Sequence, residues 1–261
     1  MKTANAAASG FSVEKERLSL FYDAMKKVIY DDEKQGGIGT LGEKNLHAVL
    51  KLFFEPDKSF HELKAGRFCA DIARDGHIIE IQTRSFDRLR KKIPYYLDEG
   101  YVVTVVYPVA AVKWICWIDA EKGEITDKRK SPRKGSVYDI VPELYKIKSI
   151  LKSSDLEFDI LLLEVQDYRN LDGYGNDRKK RSTRYERIPL SLLGEVCTGA
   201  SDNFSALVPD GLPDVFTSRD FADAAGIARS AASLTLSILT EVSAVERVGK
   251  EKNSYIYRVR K

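Results

Sequence analysis

Cysteine, histidine, methionine and tryptophan are all scarce in this 261-residue chain, at three, three, two and two. Cys69, Cys116 and Cys197, like His47, His61 and His77, fall at no CxxC or HxxxH spacing, which argues against a zinc site. So few cysteines read as reduced, buried small hydrophobes, as in a cytoplasmic protein. No run of ~18 apolar residues is present, so neither a transmembrane helix nor a membrane partner is expected. The opening MKTANAAASG lacks a charged segment followed by an apolar one and reads as a flexible tail over residues 1–10. Net charge is only +3, too small to identify a nucleic-acid partner by itself.

What is present is ample apolar content (43%) and a heavily charged remainder (31%). Residues 11–34 carry Leu18, Phe21, Tyr22, Met25 and Ile29 at helical spacing. A second helix is expected from about Gly42 to Phe54, with Leu46, Val49, Leu50 and Phe53 inward and Pro56 as its stop. Ser85 to Glu99 reads as a third, with Phe86, Leu89, Ile93 and Tyr96 inward, Arg88, Lys91 and Lys92 outward, and a kink or early end at Pro94. Tyr101–Tyr107 is β-branched enough for a buried central strand, and Lys113–Ile118 and Phe158–Gln166 are further strands. Residues 121–136 read as a basic loop, Val137–Leu151 as a helix and Ile188–Val196 as a short amphipathic segment. Residues 169–187, with Arg178, Lys179, Lys180, Arg181, Arg184 and Arg187, are too polar to order themselves and suggest folding on a partner.

The strongest local signal is Phe68–Gln82. Asp75-Gly76 between β-rich flanks specifies a two-residue hairpin loop. Arg74 then faces His77, Ala73 faces Ile78, Ile72 faces Ile79, and Asp71 faces Glu80. Opposed Cβ atoms lie about 5 Å apart. Gln82 shares Glu80's face. Two carboxylates at ~5 Å repel by roughly 3 kcal/mol at an effective dielectric near 20. A divalent cation would offset this. The alternative is an exposed polar face with Glu80 paired to Arg84 or another cation.

With Glu43 on the preceding helix, Asp71 in one strand and Glu80-Ile-Gln82 in the next, the chain resembles the PD-(D/E)XK nuclease superfamily over roughly residues 36–118. The resemblance implies an α/β, restriction-endonuclease-like mixed sheet of about five strands flanked by helices. It implies that Glu43, Asp71 and Glu80 hold Mg²⁺ (or Mn²⁺), and that Gln82 helps place the attacking water. Lysine is usual at that last position, and glutamine brings no charge. The function so implied is a metal-dependent deoxyribonuclease; the alternative is a catalytically inactive nuclease-fold protein that binds DNA or regulates. Arg84, Arg88, Lys91 and Lys92 would contact DNA phosphate beyond the metal. His47, one turn after Glu43, lies near this site, and His77 reads as a surface residue. A second Glu-x-Gln, Glu164-Val-Gln166, has no hairpin partner and reads as a strand end.

The nuclease-like domain is expected to span 11–208, with a proline-containing joint before a small domain at 214–261. Thr217 or Ser218 caps a short helix, Gly226-Ile227 turns, Ala228–Glu241 forms a second helix and Glu246–Val259 a hairpin. This order resembles a winged helix-turn-helix. DNA contact would fall to Arg229, Ser230, Ser233, Lys250 and Lys252. A homodimer is compatible with such a module.

Overall fold

A computed structural model describes residues 13–30, 45–83, 85–119, 124–173 and 182–260. Glu43 and Arg84 lie outside the described residues, as do 1–10, 31–42 and 178–181.

The architecture is α/β. Helix α1 (Lys15–Met25, continued by a π turn to Tyr30) and α2 (Asn45–Phe54) precede three strands, β1 (His61–Ala65), β2 (Phe68–Arg74) and β3 (His77–Ile81). Helix α3 (Leu89–Asp98) leads to β4 (Val102–Asp119). Two short strands, β5 (Glu124–Ile125) and β6 (Arg129–Lys130), fold back on β4. A segment of 3-10 turns around α4 (Val141–Lys146) leads to β7 (Leu156–Asn170), which pairs with β8 (Thr183–Gly199). The sheet order is β1-β2-β3-β4-β7-β8, eight strands with β5 and β6. It is mixed: β3, β4 and β7 run parallel, and their neighbours on both sides are antiparallel. Each parallel step contains a helix because the chain must return to the same end of the sheet.

Apolar side chains pack on both faces. Phe21, Leu46, Val49, Leu50 and Phe53 cover one face at Ile72, Ile81, Val106 and Leu161. Phe86, Leu89, Ile93 and Tyr96 cover the other at Ile78, Val105 and Phe158. These are the inward positions expected of the second and third helices. In α1, however, Tyr22 is exposed (48%), so the apolar stripe there is narrower than its spacing suggests.

Several expectations are corrected. Val102–Tyr107 and Lys113–Ile118 belong to one strand of 18 residues, with Tyr101 just before it. Pro108 does not break it, because β3 pairing ends at Val106 and the edge beside Pro108 needs no donor. Ile188–Val196 is the middle of a 17-residue strand, and Arg184 and Arg187 are ordered within it. β1 has no counterpart among the expected strands. Helix α3 passes through Pro94 to Asp98. Cys69 and Cys197 are exposed; only Cys116 is buried.

The C-terminal unit holds α5 (Ser218–Ala225), α6 (Arg229–Glu241) and a hairpin of β9 (Val245–Glu251) and β10 (Ser254–Val259). Thr217 accepts from the Arg219 and Asp220 N–H groups while Asp220 accepts from the Thr217 N–H, a reciprocal cap. Gly226, at φ +64°, closes α5 in the left-handed region. The unit is not isolated: Phe216, Phe221, Leu236 and Leu239 share one apolar cluster with Val141 and Leu144 of α4. Lys148 and Lys152 also reach Glu241 of α6, each at 3.2 Å.

Candidate active site

The β2–β3 hairpin takes the register that its turn dictates: Arg74 faces His77, Ala73 faces Ile78 and Ile72 faces Ile79. Asp75 (φ +50°) and Gly76 (φ +80°) are both left-handed, as this two-residue loop requires. The regular ladder stops one step before the carboxylates. There, Asp71 Oδ2 accepts the Ile81 N–H at 2.7 Å, so a side chain takes the place of a backbone rung.

Asp71 and Glu80 nevertheless line one cleft of about 700 Å³, with His47, Gln82, Arg88 and Lys92. It opens where β3 ends and α3 begins. Helix α2 brings in His47, whose Nε2 lies 3.3 Å from Asp71 Oδ2. Helix α3 brings in Lys92, whose Nζ donates to Glu80 Oε2 at 2.7 Å. Lys92 thus faces inward, against the expectation from its spacing. It sits one turn before the buried Tyr96 and is pulled onto a carboxylate that is only 3% exposed. Glu80 is therefore not on an exposed polar face, although it is paired to a cation, as the alternative expected. Arg88 and Lys91 remain exposed, on the cleft wall and beyond it.

The two carboxylates have opposite electrostatics. Burial pushes Asp71 upward, but the hydrogen bond and charge of His47, the Ile81 N–H and the charge of Lys92 outweigh it and hold Asp71 below the usual range. Burial pushes Glu80 up to about 7, reinforced by the charge of Asp71 and opposed by Lys92. The Tyr96 hydroxyl, also buried, faces Glu80 as a hydrogen-bond donor, and neither it nor Glu80 Oε1 has any other partner among the described residues. An unsatisfied buried carboxylate oxygen costs free energy unless a donor or cation meets it.

Among the described residues no three His, Cys, Asp or Glu side chains cluster as a ready metal site. Two carboxylates are still a fitting donor set for a hard divalent ion. Mg²⁺ is commonly held by one or two carboxylates, with water and substrate phosphate completing its shell. Two carboxylates lining one cleft, with the charge of Asp71 pushing Glu80 upward, are the observation that favours such an ion here.

His47 lies at the site, as its place one turn after Glu43 suggests, whereas the inward turn of Lys92 was not expected. The four-residue spacing of Lys92 and Tyr96 on one helix face, beside a strand carboxylate, was the available signal. The second Glu-x-Gln serves structure: Glu164 Oε1 accepts from Trp114 Nε1 at 2.6 Å, and Gln166 donates to the Tyr168 hydroxyl at 2.8 Å. His77, half-buried, meets the Thr104 hydroxyl at 2.8 Å. In the C-terminal unit Arg229, Ser230, Ser233, Lys250 and Lys252 are exposed, and Arg247 lies 4.3 Å over the ring of the exposed Tyr255.

A protein from Treponema pallidum (strain Nichols), described as uncharacterized, is 29% identical over 186 residues, covering 71% of this chain and 73% of that protein. No solved structure matches significantly. Residues 44–198, from the start of α2 to the end of β8, match the domain of unknown function DUF8091. The match covers more than half of the chain and includes both carboxylates and Lys92, so the protein belongs to the DUF8091 family.

Proposed function

We propose that this protein is a metal-dependent deoxyribonuclease of restriction-endonuclease-like type, with the cleft at Asp71 and Glu80 as its active site. The observation that carries the reading is the meeting of two carboxylates and Lys92 at the end of β3. The order helix, three antiparallel strands, helix and parallel strand supports it. Phosphodiester hydrolysis needs developing negative charge neutralised and a water activated beside it. Asp71 and Glu80 would hold Mg²⁺ or Mn²⁺, which when bound supplies Lewis acidity at the phosphate. Asp71, held below the usual carboxylate range, is fixed through Oδ2 by the Ile81 N–H and His47. Glu80 titrates near neutrality, so it can give up a proton as a cation arrives. Lys92 supplies the positive charge that Gln82 lacks, from a helix rather than from the strand. Gln82, tied through its N–H to the Val106 carbonyl at 2.9 Å, offers an amide to hold water. Arg88 and Lys91 would meet the DNA backbone.

The two-helix and hairpin unit at the C-terminus supports a winged-helix reading, with DNA contacts from Arg229, Ser230, Ser233, Lys250 and Lys252 on its exposed surface. Gln82 favours a second reading, a nuclease fold that binds DNA without cleaving it. Incubation of the intact chain with plasmid and single-stranded DNA in Mg²⁺ or Mn²⁺ separates the two. The nuclease reading expects cleavage that EDTA, Asp71→Ala and Glu80→Ala each abolish. Cleavage that survives both substitutions, or DNA binding without any cleavage, refutes it.

A further inference from the structure

A second concavity of about 230 Å³ adjoins the acidic cleft, and Thr83 lines both. Four cationic side chains converge on it: Lys113 from β4, Arg133 from the loop after β6, and Arg184 and Arg187 from β8. Asp139 is the one carboxylate in its wall. The volume is below the range usual for organic ligands and suits a single small anion.

Two of the four are tied to a carboxylate on β7. Arg187 spends its charge on Asp167, a carboxylate with no exposed surface, through bonds of 2.5 and 3.0 Å. Arg184 leans on the same carboxylate at 3.6 Å. The side chains of Lys113 and Arg133 have no hydrogen-bond or ion-pair partner among the described residues. Burial holds Lys113 below the ordinary lysine range; the charge of Asp167 opposes this, and Arg187, Arg169 and Arg133 add to it. Burial also pushes Asp139 upward, opposed by the charges of Arg133 and Lys113. With Lys113 and Arg187 partly buried and Arg133 and Arg184 exposed at the rim, such a group is stabilised by an anion that accepts several charge-assisted hydrogen bonds.

The backbone holds the arrangement in place. β4 carries an extra residue between Ala110 and Val112, a bulge that bends the strand. The Ser131 N–H donates to the Lys113 carbonyl at 2.7 Å and the Gly135 N–H to the Ala110 carbonyl at 3.2 Å. A Cβ at Gly135 would come within 2.7 Å of the Ala110 oxygen, so only glycine lets this loop lie so close to β4. The laced loop carries Arg133 to the same concavity as Lys113.

We propose that this concavity is a phosphate subsite, which holds a phosphate group of the DNA strand while the neighbouring phosphodiester lies at Asp71 and Glu80; this rests on the nuclease reading for the identity of the ligand. The test is binding by the intact chain in EDTA, where no cleavage occurs. Inorganic phosphate is titrated first, then one fluorescent oligonucleotide carrying either a 5′-phosphate or a 5′-hydroxyl. Phosphate is expected to bind wild type and to compete with the oligonucleotide. Lys113→Gln and Arg133→Gln should each weaken it about tenfold. Lys113→Arg should restore it. A preference for the 5′-phosphate assigns the site to a strand end, and equal binding assigns it to an internal diester. Phosphate binding that persists in a protein unable to cleave DNA sinks the nuclease reading and supports the subsite. The subsite is overturned if wild type binds no phosphate, or if folded Lys113→Gln and Arg133→Gln proteins bind it as wild type does.

Discussion

Replacing Glu80 by glutamine should change how stability depends on pH. The buried carboxyl titrates near 7 in the folded protein, against an ordinary value of 4.5. A carboxyl whose folded pKa is raised contributes stability that is fully present below the unfolded value and is lost as pH rises through the folded one. The distance between the two values corresponds to roughly 3 kcal/mol, lost from wild type between about pH 4.5 and pH 8. Glutamine has the same shape and no charge, so this loss should vanish in Glu80→Gln. Part of the gain at high pH is offset, because Lys92 then loses the opposite charge that meets it at 2.7 Å. For a domain of this size, about 3 kcal/mol appears as roughly 6–12 °C in Tm. Thermal and urea unfolding from pH 5 to pH 9 measure it, with the difference between wild type and variant plotted against pH. Parallel pH profiles would refute the claim that Glu80 is buried with a raised pKa.

Other parts of the fold give further expectations. Arg187→Met leaves Asp167 buried without its main cation and should cost about 3–5 kcal/mol by urea unfolding at pH 7. Gly66 turns between β1 and β2 at φ +60°, and a Cβ there would fall 1.9 Å from the Tyr95 hydroxyl oxygen. Gly66→Ala should therefore lower stability by about 2 kcal/mol in the same assay, and an unchanged midpoint would show that the turn is free to move. Thr217→Ala removes the hydroxyl of the α5 cap and should cost about 1 kcal/mol, with Thr217→Ser close to wild type.

The parts of the molecule that were legible in the sequence are those governed by local rules. Asp75-Gly76 fixed the hairpin register because few residues tolerate two successive left-handed positions. Leu46, Val49, Leu50 and Phe53 fixed the buried face of α2 for the same kind of reason, a short period repeated. What escaped depended on partners far away in the chain. Thr183–Gly199 is a strand because β7 pairs along nearly its whole length, and no period within the segment announces that. Arg187 is ordered because Asp167 waits across the ladder. Lys92 reads as an outward lysine until the depth of Glu80 is known, since a buried carboxylate recruits any cation within reach. Glu43, the third expected carboxylate, lies outside the described residues, so the two strand acids bear the argument for a metal.

Calorimetric titration of Mn²⁺ tests that argument most directly, because it reports on the carboxylates without requiring a substrate. Wild type, Asp71→Asn and Glu80→Gln would be compared at pH 7 in the intact chain, with folding verified by circular dichroism. The account predicts saturable binding by wild type, with proton release as Glu80 ionises, and loss of that binding in both variants. Mn²⁺ binding that is equal in all three proteins, or absent from wild type, would contradict it.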